Sequence, residues 1–378
     1  MGRSFYAHRF LLGLGIAVAT LLGGCQSSTG PEALTSVDSK EASSSVGSSP
    51  TMAMQTFGDG PTRVDMFIDA SVANYADDYR DGAALATKEL GAGQITLTVR
   101  DLRVETAEPA SQVKQSTDDG AKLLIGPSSL AKAFDRPAKP ATLFLEGQPT
   151  ASTVAIASDE ISGAIEVASY AVGAGRSKIM VVSTRVLAPS EMQRLHTGLK
   201  NAGAELINVV TDPTSADGMA KLARLGEAQA VLLIGADAPK VAAPALRQRG
   251  GLDPSVPFLG TFAWPNTAYG EPALEGSLLA LIDQNALKRI SERFRTAYGR
   301  SLSLEAAYGF DALAVASGIV RAKGSDGLDS QALRSGSGFA GATGVFRFGA
   351  DGRIERRLAI YRLSRGKLAL QDEAPSGF

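Results

Sequence analysis

Cysteine is almost absent from this chain of 378 residues, in which Cys25 is the only one. A single cysteine excludes a disulfide within the chain and a metal cluster built from several thiolates. Histidine is nearly as scarce, with only His8 and His196. A Ser-His-Asp or Cys-His catalytic site is therefore not expected, because each needs a histidine beside its nucleophile. His196 lies one position from the apolar stripe of a predicted helix, which favours a place on the helix surface.

An excess of charge of either sign is also missing. The chain has 38 Lys and Arg against 39 Asp and Glu, and no dense basic run. This balance argues against nucleic acid as a partner. Walker P-loop and Gly-x-Ser-x-Gly patterns are absent, and acidic pairs such as Asp77 and Asp78 fall at predicted helix ends, where they complement the helix dipole. The sequence therefore predicts neither an enzyme nor a bound cofactor or metal.

The longest apolar run lies near the beginning of the chain. It extends from Phe10 to Leu22, follows basic residues, and is too short to span a bilayer comfortably, as in a secretory signal peptide. It leads into Leu-Leu-Gly-Gly-Cys25, which resembles the lipobox of bacterial lipoproteins. The resemblance implies a signal peptide over 1–24, a lipid on Cys25 and a periplasmic location. Gln26 after the cysteine favours the outer membrane over the inner one, by the rule for enteric lipoproteins.

Residues 25–60 are rich in Ser, Thr, Gly and Pro and have few large apolar side chains. We expect the lipidated Cys25 to be followed by a disordered tether that reaches Gly60. A flexible chain of this length has an end-to-end distance of roughly 30 Å. The folded part would therefore stand clear of the membrane.

Strand and helix patterns alternate after the tether. Val64-Asp-Met-Phe-Ile68 is typical of a buried strand, and Asp77–Leu90 has the apolar spacing of a helix. The stretch Lys122-Leu-Leu-Ile-Gly-Pro-Ser-Ser-Leu130 predicts a strand, a turn and a helix that begins at Ser128 or Ser129. Such a turn suits an anion, although either serine alone is also an ordinary helix N-cap. The alternation predicts an α/β fold with parallel sheets.

Four stretches together resemble the type I periplasmic-binding-protein fold of leucine-binding-like proteins. They are Leu124-Ile-Gly-Pro-Ser-Ser129, the strand and helix of Lys178–Gly203, Ala307-Tyr-Gly-Phe-Asp-Ala-Leu313 and Phe339-Ala-Gly-Ala-Thr-Gly-Val-Phe-Arg-Phe-Gly-Ala-Asp-Gly352. The resemblance implies two Rossmann-like lobes with parallel sheets, joined by a three-segment hinge. The implied boundaries are 62–152 plus 284–354 for lobe one, 153–283 plus 355–370 for lobe two, and 371–378 for a tail.

The resemblance also implies a small ligand between the lobes. Family members hold a ligand carboxylate with a serine after a Gly-Pro-type turn, a position that Ser128 and Ser129 match. The other candidate ligand contacts lie in loops that depart from the family pattern: Ser71, Tyr75, Glu146, Gln148 and Trp264. Glu146 and Asp69 suit a ligand amine, or are solvated loop ends. Trp264 either covers a ligand, anchors a partner or packs on the hinge.

Two functions follow from these resemblances. The first is a non-enzymatic, lipid-anchored solute-binding component of an ABC-type uptake system, which binds an amino acid, amide or similar molecule and meets an ABC permease. The second is an outer-membrane regulator that binds a cell-wall synthase or another envelope protein. It is based on the final segment, where Gly341-Ala-Thr-Gly and Arg353-Ile-Glu-Arg-Arg-Leu358 resemble penicillin-binding-protein activator lipoproteins.

The lipobox gives a direct test. We expect Cys25→Ser to release the protein from the membrane fraction or to leave an unprocessed precursor, because the thiol is the acylation site. Fractionation and labelling with a radioactive fatty acid measure this outcome. Fatty-acid label on the Cys25→Ser protein would contradict the assignment.

Overall fold

A computed structural model of the chain describes residues 54–69, 76–102, 108–133, 140–213 and 215–378. Cys25 and the candidate contacts Ser71 and Tyr75 lie outside these residues. Within the described ranges, none of the helices is long and apolar enough to cross a membrane.

Six strands form a first sheet, and the first of them in the chain lies at its edge. Their bounds are β1 Met54–Phe57, β2 Thr62–Ile68, β3 Ile95–Asp101, β4 Leu123–Pro127, β5 Ala141–Glu146 and β6 Val154–Ala155. The spatial order is β1-β3-β2-β4-β5-β6, and all neighbours are parallel except β1 and β3.

Seven strands form a second sheet with the same winding. Their bounds are β7 Lys178–Ser183, β8 Glu205–Thr211, β9 Ala230–Ile234, β10 Phe258–Thr261, β11 Leu278–Leu281, β15 Ala359–Ser364 and β16 Lys367–Asp372. The order is β16-β15-β11-β10-β9-β7-β8, with antiparallel pairing only where β15 joins β11 and β16. A small antiparallel sheet contains β12 Phe339–Gly341, β13 Gly344–Phe348 and β14 Ile354–Arg356.

The helices occupy both faces of the two large sheets. The α-helices are α1 Ala76–Leu90, α2 Pro109–Asp118, α3 Glu160–Gly173, α4 Pro189–Asn201, α5 Ala216–Lys221, α6 Ala238–Gln248, α7 Gln284–Tyr298, α8 Leu304–Lys323 and α9 Ser330–Leu333. The 3-10 helices are Ser128–Ala133, Leu222–Glu227, Asn266–Ala268, Pro272–Leu274 and Ser325–Gly327. His196 is exposed on α4.

This architecture confirms the predicted α/β class. Central strands such as β4 and β9 are buried along almost their whole length, as expected for parallel strands covered on both faces. We call the first sheet and the elements packed on it the first lobe, and the second sheet with its helices the second lobe. The small sheet packs on α8, and α8 packs on α1, so both belong to the first lobe.

Helices α1 and α8 cross at unusually short range. A Cβ atom at Gly82 would lie 1.9 Å from the carbonyl oxygen of Ala306, and one at Gly309 would lie 2.1 Å from that of Tyr79. Neither position has room for a side chain, so the crossing depends on both glycines. This contact joins the end of the first lobe to its beginning, although the second lobe separates them in sequence.

Asp311 on α8 connects the two most distinctive sequence motifs. Its buried carboxylate accepts hydrogen bonds from the backbone N–H groups of Ala342 and Thr343 and from the Thr343 hydroxyl. Burial raises the pKa of Asp311 to about 6, against the opposing effects of the Arg356 guanidinium and these donors. The carboxylate therefore accepts the hydrogen bonds of the donors in the turn between β12 and β13, from inside the lobe.

The prediction of a disordered tether that reaches Gly60 is wrong for its last residues, which are ordered. Met54–Phe57 form β1, which pairs with β3 from Met54 opposite Arg100 to Phe57 opposite Leu97. Gly60 continues this contact, because its carbonyl accepts the Thr96 hydroxyl at 2.7 Å. Periodicity does not reveal β1, because a four-residue edge strand has too few side chains to show a clear alternation.

Removal of β1 should therefore destabilise the protein. We expect a chain that begins at Pro61 to melt at a lower temperature than one that begins at Thr51, by about 2–4 °C for each kcal/mol of lost pairing. Circular dichroism of the two proteins measures the difference. Identical melting curves would show that β1 contributes nothing to folding.

The Asp311 contact should matter more than any surface ion pair. We expect Asp311→Ala to cost about 3–5 kcal/mol, because it leaves three buried donors without an acceptor and removes a negative charge near Arg356. Chemical denaturation measures this loss. Asp326→Ala is the matched control, since that side chain is 95% exposed beside Lys122. Equal losses in the two variants would contradict a central role for Asp311.

Candidate functional site

The first lobe has a cavity at the carboxyl ends of β2, β4 and β5. These strands meet where the winding of the sheet changes direction, since β3 lies on one side of β2 and β4 on the other. Ligands of open α/β sheets bind at such a switch point. The cavity has a volume of about 360 Å³. Its apolar lining consists of Phe67, Ile68, Ala76, Pro127 and Leu145, and its polar lining of Asp69, Tyr79, Ser128, Ser129 and Glu146.

Four of the candidate residues line this cavity: Asp69, Ser128, Ser129 and Glu146. Ser128 is half-buried and Ser129 exposed, and neither hydroxyl hydrogen-bonds to a described residue. The segment that begins at Ser128 is a six-residue 3-10 helix, whereas the sequence predicted an α-helix there. A segment this short aligns few peptide dipoles, so the expected attraction for an anion is weak.

Tyr79 is the residue of the cavity that sequence analysis missed. It belongs to the inward face of α1, where an aromatic residue is usually part of the core. Tyr79 is 7% exposed, and its phenol makes no hydrogen bond to any residue in the described ranges. Burial, followed by the negative charges of Glu146 and Glu305, raises the pKa of the phenol well above its usual value. Tyr79 therefore remains protonated at the wall of the cavity.

The corresponding edge of the second lobe is already occupied by its own side chains. Arg185, just after β7, binds Glu160 at 3.0 Å and Glu191 at 2.9 Å. The other oxygen of Glu160 accepts the backbone N–H of Gly235, at 2.8 Å, just after β9. These bonds raise the pKa of Arg185 and lower that of Glu191. Both carboxylates at this edge therefore have partners within the lobe.

A polar network joins two of the three segments that pass between the lobes. Tyr308 of α8 donates its hydroxyl hydrogen to Ser158 at 2.8 Å, and Arg356 donates to the same serine oxygen at 2.6 Å. Arg356 also donates to the carbonyl of Ile156 at 3.2 Å. These contacts tie the segment before α3 to β14, next to the segment that leads into β15.

Gln148 lies outside the 360 Å³ cavity that contains the serines. Its side chain is exposed and accepts a hydrogen bond from Arg353, in a neighbouring cavity of about 120 Å³. Arg353 also approaches Asp159 at 3.4 Å, and Arg194 binds Asp159 at 2.8 Å. Desolvation of Asp159 is outweighed by these two guanidiniums and the Ser162 N–H, so its pKa is lowered. Gln148 thus contacts this group of Arg353, Asp159 and Arg194 and does not line the cavity of the serines.

Trp264 neither covers a ligand nor anchors a partner at the surface, which were two of the roles considered for it. The indole is fully buried in the second lobe and donates its N–H to the carbonyl of Leu233 at 3.3 Å. Gly260 packs directly beneath the ring. The side chain therefore belongs to the core of that lobe, because the loop after β10 turns back over the sheet.

A larger cavity, of about 490 Å³, lies between α3, α4 and the β13–β14 hairpin. Arginines dominate its wall, and most are engaged with neighbours. Arg347 binds Glu355 at 2.7 Å, and Arg357 donates to the carbonyl of Gly377 at 3.1 Å. Both guanidiniums also stack on the ring of Phe378, each at 4.4 Å. In the described ranges, no group of three His, Cys, Asp or Glu residues is placed to hold a metal ion.

No protein-family model matches the chain, and no curated protein matches it. Solved structures do match over most of its length. One is a protein of Rhodospirillum rubrum assigned to a branched-chain amino acid ABC transporter. It has 19% identity and a TM-score of 0.66, and the match covers 82% of this chain and 99% of that one.

Two further matches contain a bound ligand. An ABC transporter substrate-binding protein of Desulfitobacterium hafniense in complex with Leu has 15% identity and a TM-score of 0.57, covering 82% of this chain and 99% of that one. A solute-binding protein of Rhodopseudomonas palustris in complex with benzoate has 18% identity and a TM-score of 0.52, covering 84% and 98%. The chain therefore has the type I periplasmic-binding-protein fold, as its sequence motifs predicted.

Proposed function

We propose that this protein is a non-enzymatic, periplasmic solute-binding protein that takes up a small polar molecule in the first-lobe cavity and delivers it to an ABC permease. The observation that carries the proposal is the cavity itself. It lies at the switch point of the sheet and combines an apolar floor with a few convergent polar groups, as ligand sites do. The neighbours described as substrate-binding or solute-binding proteins support the same conclusion.

The membrane anchor completes this proposal. A lipid on Cys25 would hold the protein at a periplasmic membrane surface, and the residues before β1 would let the two lobes reach a permease. The outer-membrane regulator of cell-wall synthesis receives no support from these neighbours, whose names refer to ABC transport. Burial of Trp264 also means that this side chain is not a surface anchor for an envelope partner.

The serine turn gives the test of solute binding. A ligand at a hundred times its dissociation constant should stabilise the protein by about 2.7 kcal/mol, which is visible as a rise in melting temperature. We expect a screen of amino acids, amides, amines and aromatic acids to give such a rise. Ser128→Ala combined with Ser129→Ala should weaken the binding about tenfold, because two hydroxyl contacts are lost.

The double variant should fold normally, since neither hydroxyl bonds to a described residue. Ser301→Ala is the matched control, an exposed serine of the loop before α8. If a ligand binds the double variant as tightly as the wild type, its binding site does not include the serine turn. A screen without any melting shift would overturn the solute-binding function.

A further inference from the structure

The charges around the first-lobe cavity are unbalanced. Glu146 is one of the described residues that line it, and none of those residues is a lysine or an arginine. Glu146 is half-buried and makes no ion pair or hydrogen bond to a described residue. The negative charge of Glu146 therefore faces the cavity without a counter-ion from the described protein.

Two guanidiniums on and beside α1 are already used by other carboxylates. Arg80 binds Asp77 and Asp81 at 2.6 and 2.8 Å on α1. Arg300 binds Asp78 and also reaches Asp81 at 2.5 Å. Glu305 adds a further half-buried carboxylate at the start of α8, where it interacts with the charges of Asp78 and Glu146. The field at the cavity is consequently negative.

Tyr79 supplies an independent indication of a ligand. Its side chain is more than nine-tenths buried, lines the cavity, and leaves its phenol without a hydrogen bond to the described residues. The ring is buried while the hydroxyl borders the cavity, where a polar group normally bonds to a ligand or to water. The phenolic oxygen accepts a hydrogen bond from an ammonium as readily as it donates one to a carbonyl.

A carboxylate would fit this cavity poorly. It would lie beside Glu146 with no described cation to offset the repulsion, and the 3-10 helix at Ser128 offers few aligned N–H groups. An amine would instead form a charge-assisted hydrogen bond to Glu146. The same lining that attracts one charge therefore rejects the other.

We infer that the ligand presents a cationic nitrogen, such as a primary ammonium, and no carboxylate to this cavity, with Glu146 as its counter-ion and Tyr79 and Ser128 as hydrogen-bond partners. This inference rests on the proposed solute-binding function and names its substrate class. The apolar floor formed by Phe67, Ile68 and Leu145 would take the hydrocarbon part of such a molecule.

Matched probes with one carbon skeleton test the sign of the charge. Benzylamine, benzamide and benzoate form one set, and leucinamide, 4-methylpentanamide and 4-methylpentanoate form another. Isothermal titration calorimetry measures each dissociation constant. We expect each amine to bind at least about tenfold more tightly than its carboxylate, because a desolvated charge pair replaces a repulsion.

Three variants assign that preference to residues. Glu146→Gln keeps the shape of the side chain and should abolish most of the preference for the amine. Tyr79→Phe should weaken the amine severalfold with no loss of melting temperature, since the phenol has no described partner to lose. Glu373→Gln, at an exposed position near the end of the chain, should change nothing.

The outcomes separate the inference from the function beneath it. Benzoate or 4-methylpentanoate bound at least as tightly as its amine, with no effect of Glu146→Gln, would overturn the cationic ligand and leave solute binding intact. A preference for the amines that survives Glu146→Gln would overturn the role of Glu146. Failure of every probe and of the wider screen would overturn solute binding, and the inference with it.

Discussion

The close crossing of α1 and α8 is the constraint on which the first lobe depends. Gly82 and Gly309 bring the two backbones to a distance that any side chain would prevent. The crossing holds the backbone of Tyr79 against Gly309 of α8. This contact positions the Tyr79 side chain at the wall of the cavity. It also places Asp311, two residues beyond Gly309, within reach of the β12–β13 turn. One contact thus builds both the wall of the site and the closure of the lobe.

The two lobes differ in how they treat charge at their corresponding edges. In the second lobe, Arg185 pairs with both Glu160 and Glu191, and the remaining carboxylate oxygen of Glu160 accepts a hydrogen bond from Gly235. In the first lobe, the side chains of Glu146 and Tyr79 line the cavity and have no partner among the described residues. Since groups that already have partners gain little from a ligand, whereas groups without them gain more, recognition is expected to come mainly from the first lobe.

The similarity to solved structures concerns the fold, because identities of 15–19% do not carry binding residues with them. The site has to be argued from its own chemistry. Neighbours of this fold hold molecules as different as leucine and benzoate. Glu146 and Tyr79, which line the cavity without a partner among the described residues, are therefore more informative about the ligand than any neighbour is.

The sequence by itself determined the α/β class and the alternation of strands and helices, because these follow from local periodicity and turn chemistry. It placed Ser128, Ser129 and Glu146 correctly at strand ends. Only the tertiary structure decided that Trp264 is core, that Gln148 contacts Arg353, and that β1 extends the first sheet. It also decided that Tyr79 reaches the cavity. Each of these placements depends on which distant segment packs against the residue, and such contacts exist only in the folded chain.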